Sequence, residues 1–303
     1  MRLDVPAANL RRRRRALALV TIALALSASL ALAPAAFANF LTPKSGGSPN
    51  ADQIDSLYKI VLYVAAVVFV IVEGALFYSV IRFRSKKNRV AAQIHGNTRL
   101  EIGWTVAAAL ILIVITVITF VKLPSITNPP NSDSNGLVLS ASLGQPTPPN
   151  GKKLTVCVQA RQFIFRYAYG PNCNNNAFTG KLPYSYTDMV VPSNTTVVLV
   201  IQATDVIHSW WVPSLGGKVD AVPGYTTYTW FKAPHASTPG HPVVYTGHCA
   251  QLCGRQHASM LARVKVVTPD QYQQWISQQS SLIAAANAQV TQLRQILTAN
   301  GNL

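Results

Sequence analysis

The residues of this chain whose types and spacing indicate chemistry stand close together near its C-terminal end. Within 12 residues the sequence places two thiols, an imidazole and a thioether, namely Cys249, Cys253, His257 and Met260. A second imidazole, His208, stands far upstream. Thiolate and thioether ligands suit copper, imidazole suits copper and zinc, and zinc sites make no use of methionine. This set of side chains therefore predicts a copper site.

The second thiol indicates which kind of copper site to expect. An electron-transfer site with one copper ion needs only a single cysteine beside two histidines and a weak methionine ligand. Because Cys253 adds a thiolate four residues after Cys249, we expect two copper ions that share both sulfurs. A disulfide is the alternative in an oxidising compartment. The presence of His257 and Met260 at this spacing disfavours it.

The first 38 residues have the pattern of an export signal. Residues 11–15 are all arginine, residues 16–33 are mainly apolar, and Ala36-Phe37-Ala38 matches a small-x-small cleavage site. The apolar run is long for a signal peptide, so an uncleaved anchor is the alternative. The sequence predicts a signal peptide over residues 1–38 and an exported segment over residues 39–56.

Two more apolar runs follow, over residues 60–81 and 102–121, and each can cross about 30 Å of hydrocarbon as a helix. The loop between them has no acid before Glu101 and has six cations, which are Arg82, Arg84, Lys86, Lys87, Arg89 and Arg99. Since positive loops stay in the cytoplasm, residues 57–123 are predicted to form a transmembrane hairpin with its turn inside. The rest of the chain then lies on the outer face of a bacterial plasma membrane.

The overall charge fits a membrane protein better than a nucleic-acid-binding one. The 303 residues include 26 Lys and Arg against 10 Asp and Glu, but only 12% are charged, where soluble domains average about 25%. Residues 11–15 and the inner loop supply eleven of the basic residues. We therefore expect a membrane as a partner and no nucleic acid.

Beyond the hairpin the sequence predicts a linker, a β domain and a helix. Residues 124–150 form a proline-rich linker. Short strands without intervening helices indicate a sandwich or a barrel, and they are expected over residues 154–160, 163–169, 195–203, 225–231, 243–246 and 261–267. A helix over residues 269–303 follows the N-cap Thr268. Its apolar stripe has a heptad pattern and should pack on another surface; it consists of Tyr272, Ile276, Ile283, Val290, Leu293 and Leu297.

These motifs resemble subunit II of the haem–copper cytochrome c oxidases, which carries the dinuclear copper centre CuA. The resemblance covers roughly residues 48–276 and is carried by residues 205–213, by Lys218-x-Asp220-x-x-Pro223-Gly224 and by residues 249–260. It implies that residues 151–268 form an all-β cupredoxin domain, a Greek-key β-sandwich. It also implies the copper ligands, which are His208, Cys249, the backbone carbonyl of Gln251, Cys253, His257 and Met260.

The same resemblance implies the function and the partners. Subunit II of an aa3-type cytochrome c oxidase accepts electrons from cytochrome c and passes them to haem in subunit I, which reduces oxygen to water and pumps protons. The expected partners are subunit I, the other oxidase subunits and cytochrome c, and no catalytic residue is expected in this chain. The alternatives are the CuA subunit of a nitric oxide or nitrous oxide reductase, which its partner subunit would identify, and a copper chaperone, which would lose copper readily.

Five further residues have roles that the resemblance implies or leaves open. Phe163 matches the family's tryptophan at which electrons enter, and Glu101 matches a glutamate at the cytoplasmic mouth of a proton path. Gln251 stands where the family usually has a glutamate that reaches a magnesium ion, and a neutral amide is a weaker ligand for that hard cation. Cys157 and Cys173 form either a disulfide or free thiols.

The charge of the exported part also bears on the electron donor. From residue 124 onward the chain has eleven basic and five acidic residues, and eleven minus five leaves +6. Members of the family often present an acidic face to a lysine-rich cytochrome c. Because steering depends on complementary charge, we expect an acidic or near-neutral cytochrome c, or one held in a supercomplex. The competing explanation for the small number of acids is that the exported face works at acidic pH, where carboxylates would be protonated and lose their interactions.

Overall fold

A computed structural model describes residues 42–84, 93, 96–133, 146–170, 173, 175–235 and 241–300, and the predicted signal peptide lies outside them. The two apolar runs form helices α1 (Pro49–Arg82) and α2 (Thr98–Thr127), which pack against each other. Both are long and apolar enough to cross a membrane. The predicted pair of helices is confirmed, and α1 begins before the boundary that was expected at residue 57.

Capping residues determine where α2 begins. Asn97 Oδ1 accepts a hydrogen bond from the backbone N–H of Leu100 (3.2 Å), and Glu101 Oε1 accepts one from the N–H of Asn97 (3.3 Å). The pair satisfies N–H groups that have no partner inside the helix. Glu101 therefore lies in the first turn of α2, at the opposite end of this helix from Thr127.

The described residues that follow form a domain of ten strands. They are β1 (Leu154–Arg161), β2 (Ile164–Tyr169), β3 (Tyr184–Tyr186), β4 (Asp188–Pro192), β5 (Thr196–Ala203), β6 (His208–Trp210), β7 (Val219–Ala221), β8 (Thr227–Lys232), β9 (Val243–His248) and β10 (Leu261–Val267). One sheet has the order β3-β2-β1-β5-β8, a second has the order β4-β10-β9, and β6 pairs with β7. Strand β1 is almost entirely buried because it lies at the centre of the larger sheet.

The two larger sheets face each other across one hydrophobic core. Val156 and Val158 of the first sheet and Met189 and Val264 of the second are all 0% exposed and belong to the same cluster of side chains. Along β10, buried residues alternate with partly exposed ones, as expected for a strand with one face on a core. The expected all-β sandwich is therefore confirmed.

The structure also decides between the two alternatives for the spare cysteines. Cys157 and Cys173 form a disulfide, and their Cα atoms are 5.2 Å apart, within the usual range. Cys157 belongs to a small cluster with Ala168 and Ala177, separate from the main core. The bond therefore attaches the segment before β3 to the outer face of the larger sheet.

The C-terminal helix, α3 (Pro269–Ala299), begins where the sequence predicts it. Thr268 Oγ1 accepts a hydrogen bond from the N–H of Gln271 (3.4 Å), and Gln271 Oε1 accepts one from the N–H of Thr268 (3.2 Å). This capping box, with proline in the first helical position, explains the sharp start of the helix.

The heptad stripe of α3 is covered by the β domain only over its first turns. Tyr272 is 1% exposed and lies beside Tyr169 and Trp275, with ring centroids 6.3 Å and 6.1 Å away. Farther along, Val290 and Leu293 are 51% and 62% exposed. The first turns of the stripe therefore pack as predicted. Among the described residues, none covers Val290 or Leu293.

Replacing Tyr272 with alanine should lower the free energy of unfolding by about 3–5 kcal/mol, because a large buried ring leaves a cavity. Leu293→Ala is the matched control on the exposed half of α3 and should change it by less than about 0.5 kcal/mol. Denaturant unfolding of the full chain in detergent, followed by tryptophan fluorescence, measures both. A larger loss for Leu293→Ala would show that the exposed half anchors the helix.

Candidate metal centre

The loop between β9 and β10 contains five of the six predicted ligands, and backbone hydrogen bonds hold it at its base. The N–H of Cys249 donates to the carbonyl of Met260 (2.9 Å), which continues the β9–β10 ladder. The N–H of Ala250 donates to the carbonyl of Ser209 (2.9 Å) in β6. The loop is therefore attached to the strand whose first residue is His208, the sixth ligand.

The two predicted bridging sulfurs lie at the centre of the site. Cys249 Sγ and Cys253 Sγ are 3.9 Å apart, and neither forms a disulfide. His208 Nδ1 lies 3.9 Å from Cys249 Sγ. The backbone carbonyl oxygen of Gln251 lies 3.2 Å from the same sulfur. The side chain most distant in sequence and the backbone carbonyl thus meet at one cysteine.

The other sulfur has the remaining two donors beside it. His257 Nδ1 lies 3.6 Å and Met260 Sδ lies 4.0 Å from Cys253 Sγ. A short 3-10 turn over His257–Ser259, in which Met260 N–H donates to the His257 carbonyl (3.2 Å), returns both side chains to the cysteine. The structure therefore brings all six predicted ligand groups together.

The separation of the two sulfurs fits metal ions that bridge them. A metal–thiolate bond is about 2.3 Å long, so one ion can bond to two sulfurs only if they are closer than about 4.6 Å. The distance of 3.9 Å between Cys249 Sγ and Cys253 Sγ meets this condition. With the imidazoles and the thioether nearby, the donor set fits copper better than a hard cation.

The Cys253 thiol is costly to ionise unless a cation is present. Burial, together with repulsion from the Cys249 sulfur, raises the pKa of Cys253 to about 11. Both thiols must lose their protons to bind a metal. Two buried thiolates side by side need positive charge next to them. Bound copper ions would supply that charge.

Asp205 orients the histidine that comes from the other part of the chain. Its Oδ1 lies 2.9 Å from His208 Nε2, which leaves Nδ1 directed at Cys249. Burial raises the pKa of Asp205, but hydrogen bonds from the N–H of Gln162 (2.7 Å), from His208 and from the N–H of Val206 (2.7 Å) outweigh burial and hold this pKa below its usual range. A carboxylate behind a metal-binding histidine sets its tautomer and ring orientation. The sequence prediction did not include Asp205, although its place three residues before a ligand histidine was a usable signal.

Gln162 and Phe163 connect the β1–β2 turn to the ligand loop. Gln162 Nε2 donates a hydrogen bond to the carbonyl of Cys253 (2.6 Å). A Cβ atom at Gly254 would lie 3.0 Å from the Phe163 ring, so the ring contacts the loop backbone. The predicted entry residue therefore lies beside the site. Glu101 does not, because it is in the first turn of α2.

Comparisons with known proteins give one consistent result. The family model "Cytochrome C oxidase subunit II, periplasmic domain" matches residues 154–267, from the start of β1 to the end of β10. The family model "Cytochrome C oxidase subunit II, transmembrane domain" matches residues 37–121. The two matches thus cover the β domain and most of the two helices.

Individual relatives agree with these matches. A cytochrome c oxidase subunit 2 of Cereibacter sphaeroides is 31% identical over 78% of this chain and 81% of its own length. A probable cytochrome c oxidase subunit 2 of Rickettsia bellii is 30% identical over 81% and 86%. For subunit 2 of Alkalihalophilus pseudofirmus, also 30% identical, the chain spans 63% of the relative's length. The solved periplasmic domain of subunit II from Bradyrhizobium japonicum is 26% identical, with a TM-score of 0.36 over 43% of this chain and 95% of that domain.

Replacing Asp205 with asparagine should weaken copper binding about 10- to 100-fold, because the charged partner that orients the His208 ring is lost. Competition with a copper chelator measures the affinity. Asp188→Asn is the matched control, since that carboxylate pairs with Arg263 (2.6 Å) in another part of the domain. Equal affinities for wild type and Asp205→Asn would show that the ring is held by other contacts.

Proposed function

This chain belongs to the family of cytochrome c oxidase subunit II, and we propose that it carries the dinuclear CuA centre of an aa3-type oxidase. The family is copper-binding, and its members are subunits of a haem–copper oxidoreductase complex. The observation that supports the finer assignment is the pair of buried free thiols 3.9 Å apart. The proposed ligands are His208, Cys249, the carbonyl of Gln251, Cys253, His257 and Met260.

A bound copper pair would supply one-electron chemistry between cytochrome c and the haem of subunit I, the subunit in which oxygen would be reduced and protons pumped. The residues of this chain keep the donors in place. Asp205 orients one imidazole, Gln162 holds the loop at Cys253, and both loop ends belong to strand ladders. His208, Cys249 and Met260 are 0% exposed, so these three donors are shielded from solvent.

The orientation of the chain follows from its charges. With the basic loop in the cytoplasm, the copper domain lies on the outer face, and Glu101 in the first turn of α2 lies on the inner side, as a proton-path mouth requires. Phe163 is the proposed electron entry because its ring contacts the ligand loop at Gly254. The exposed side chain of Gln251 offers a magnesium ion only a neutral oxygen, which weakens binding of that hard cation.

The full chain should bind two copper ions, and the oxidised protein should show an unpaired electron shared equally by two copper nuclei. Cys253→Ser should abolish this signal, because a hydroxyl is a poor bridge for copper. Met260→Leu should keep both ions and shift only the potential, since a thioether is a weak ligand. Metal analysis and electron paramagnetic resonance measure these outcomes.

Two results would contradict the ligand roles. One copper per chain with a single-nucleus hyperfine pattern would exclude the dinuclear assignment. A spectrum that survives Cys253→Ser and is lost in Met260→Leu would reverse the roles of bridging and weak ligand. Rapid loss of copper from the wild type to a mild chelator would favour a chaperone over an oxidase subunit.

Most acidic side chains of the β domain and its linker already have contacts within the chain, and this affects which electron donor can dock. Two of them pair with basic side chains, Asp133 with Lys232 and Asp188 with Arg263 and Lys265, and Asp205 contacts the His208 ring. Asp220 is exposed, and its carboxylate contacts no partner among the described residues. Arg161 and Arg255 are both exposed. They are the sequence neighbours of Gln162 and Gly254, which lie close to each other beside the site. We call the exposed surface around Phe163, which includes Arg161 and Arg255, the rim. Its positive charge favours a donor that is acidic or near neutral.

An acidic cytochrome c should reduce the copper centre faster than a basic one at low salt, and added salt should remove the difference as screening grows. Arg255→Gln should slow reduction by the acidic donor. Lys152→Gln, at the opposite end of β1 from Arg161, should not. Stopped-flow absorbance across a salt series measures the rates. Faster reduction by the basic donor, slowed by salt and by Asp220→Asn, would show an acidic docking face instead.

A further inference from the structure

Side chains from the start of α1 occupy the free edge of strand β8. This strand is the outermost of the larger sheet and pairs only with β5 there, so half of its backbone groups lack a strand partner. The N–H of Lys232 donates to Ser48 Oγ (3.0 Å), and Asn50 Nδ2 donates to the carbonyl of Trp230 (2.9 Å). Ser48 and Asn50 are each 4% exposed. The first membrane helix is therefore attached to the sheet through buried hydrogen bonds.

The end of α2 is attached to the same strand. Trp230 Nε1 donates a hydrogen bond to the carbonyl of Thr127 (2.9 Å), the last residue of α2. Lys122 Nζ, one turn earlier, contacts Gln53 Oε1 (3.3 Å) and Ser56 Oγ (3.1 Å) of α1. The two membrane helices are thus joined to each other and to the β domain at one place, next to Trp230. We call this place the joint; it consists of Ser48, Asn50, Lys122, Thr127, Trp230 and Lys232.

Close backbone contacts lead from this joint to the metal centre. A Cβ atom at Gly216 would lie 2.5 Å from Asn50 Nδ2, so the absence of a side chain lets this turn approach α1. The turn begins with Pro213–Leu215, two residues after Trp211. The carbonyl of Trp211 accepts the N–H of His248 (3.1 Å), the residue before a proposed ligand. A shift at the joint would therefore be passed to the ligand loop through a few packed residues.

We propose that Asn50 and Trp230 are positioning residues that hold the copper centre at a set distance from its electron acceptor in the membrane. This inference rests on the proposed function. Electron transfer between two centres slows steeply as the distance between them grows. Neither residue contacts a proposed ligand or belongs to the rim around Phe163. Removing hydrogen bonds of the joint should therefore slow electron transfer from the copper centre to its acceptor. The rate at which the donor reduces the copper centre should not change.

The test uses the intact oxidase complex with Asn50→Ala or Trp230→Phe in this chain. Trp230→Phe keeps most of the ring and removes the hydrogen bond to Thr127. In time-resolved absorbance, copper-to-haem transfer should slow severalfold, because electron transfer weakens steeply as the distance between the two centres grows. Reduction of copper by cytochrome c and the copper resonance spectrum should match the wild type.

Two variants of α3 serve as matched controls. Asn287→Ala removes another hydrogen bond from a helix side chain to a backbone carbonyl, that of Gly180 (3.1 Å). Trp275→Phe alters a tryptophan that packs against Tyr169. Both should leave copper-to-haem transfer unchanged, because neither residue belongs to the joint at β8.

The inference would be overturned by wild-type copper-to-haem rates in both variants. Loss of copper, or equal slowing of the donor and acceptor steps, would also overturn it, since the residues would then serve the fold of the copper domain. Failure of the proposed function looks different. In that case the wild-type complex itself would lack the two-copper spectrum or would not oxidise cytochrome c.

Discussion

Two ionisable sulfurs held 3.9 Å apart in a buried place are the constraint on which the rest of this structure depends. Burial and mutual repulsion oppose the charged state of such a pair, as the raised pKa of Cys253 indicates. The sulfurs do not attract each other into this arrangement, so the surrounding backbone has to impose it. That requirement explains why the ligand loop closes on a strand ladder at its base and is hydrogen-bonded to β6.

Each neighbouring element contributes one restraint to the loop. The β1–β2 turn supplies the Gln162 amide to the carbonyl of Cys253 and the Gln162 N–H to Asp205. Asp205 in turn orients His208, so a single carboxylate connects two segments of the larger sheet to a proposed ligand. Ligands that are held in this way move little when charge arrives, which is the property an electron-transfer site needs.

The sequence predicted best what depends on neighbouring residues. The spacing of Cys249, Cys253, His257 and Met260, the two long apolar helices and the capped start of α3 are all local patterns. Strands β3, β4, β6 and β7 were missed because they have three to five residues, too few to show a period. The role of the Gln251 carbonyl came from the family resemblance alone, since no side-chain pattern marks a backbone ligand. The Cys157–Cys173 pairing and the contacts of Asn50 and Trp230 link distant positions, which spacing does not reveal.

The chain contains two cysteine pairs that have opposite chemistry in one β domain. Cys157 and Cys173 are bonded, with Cα atoms 5.2 Å apart, and attach a segment that the main core does not hold. Cys249 and Cys253 are kept 3.9 Å apart, suited to a bridging ion, whereas a disulfide would need about 2.05 Å. In an oxidising compartment the second pair is nevertheless exposed to competition between oxidation and metal binding. Metal binding at both thiolates and oxidation to a disulfide therefore exclude each other at this pair, because each uses the same two sulfurs.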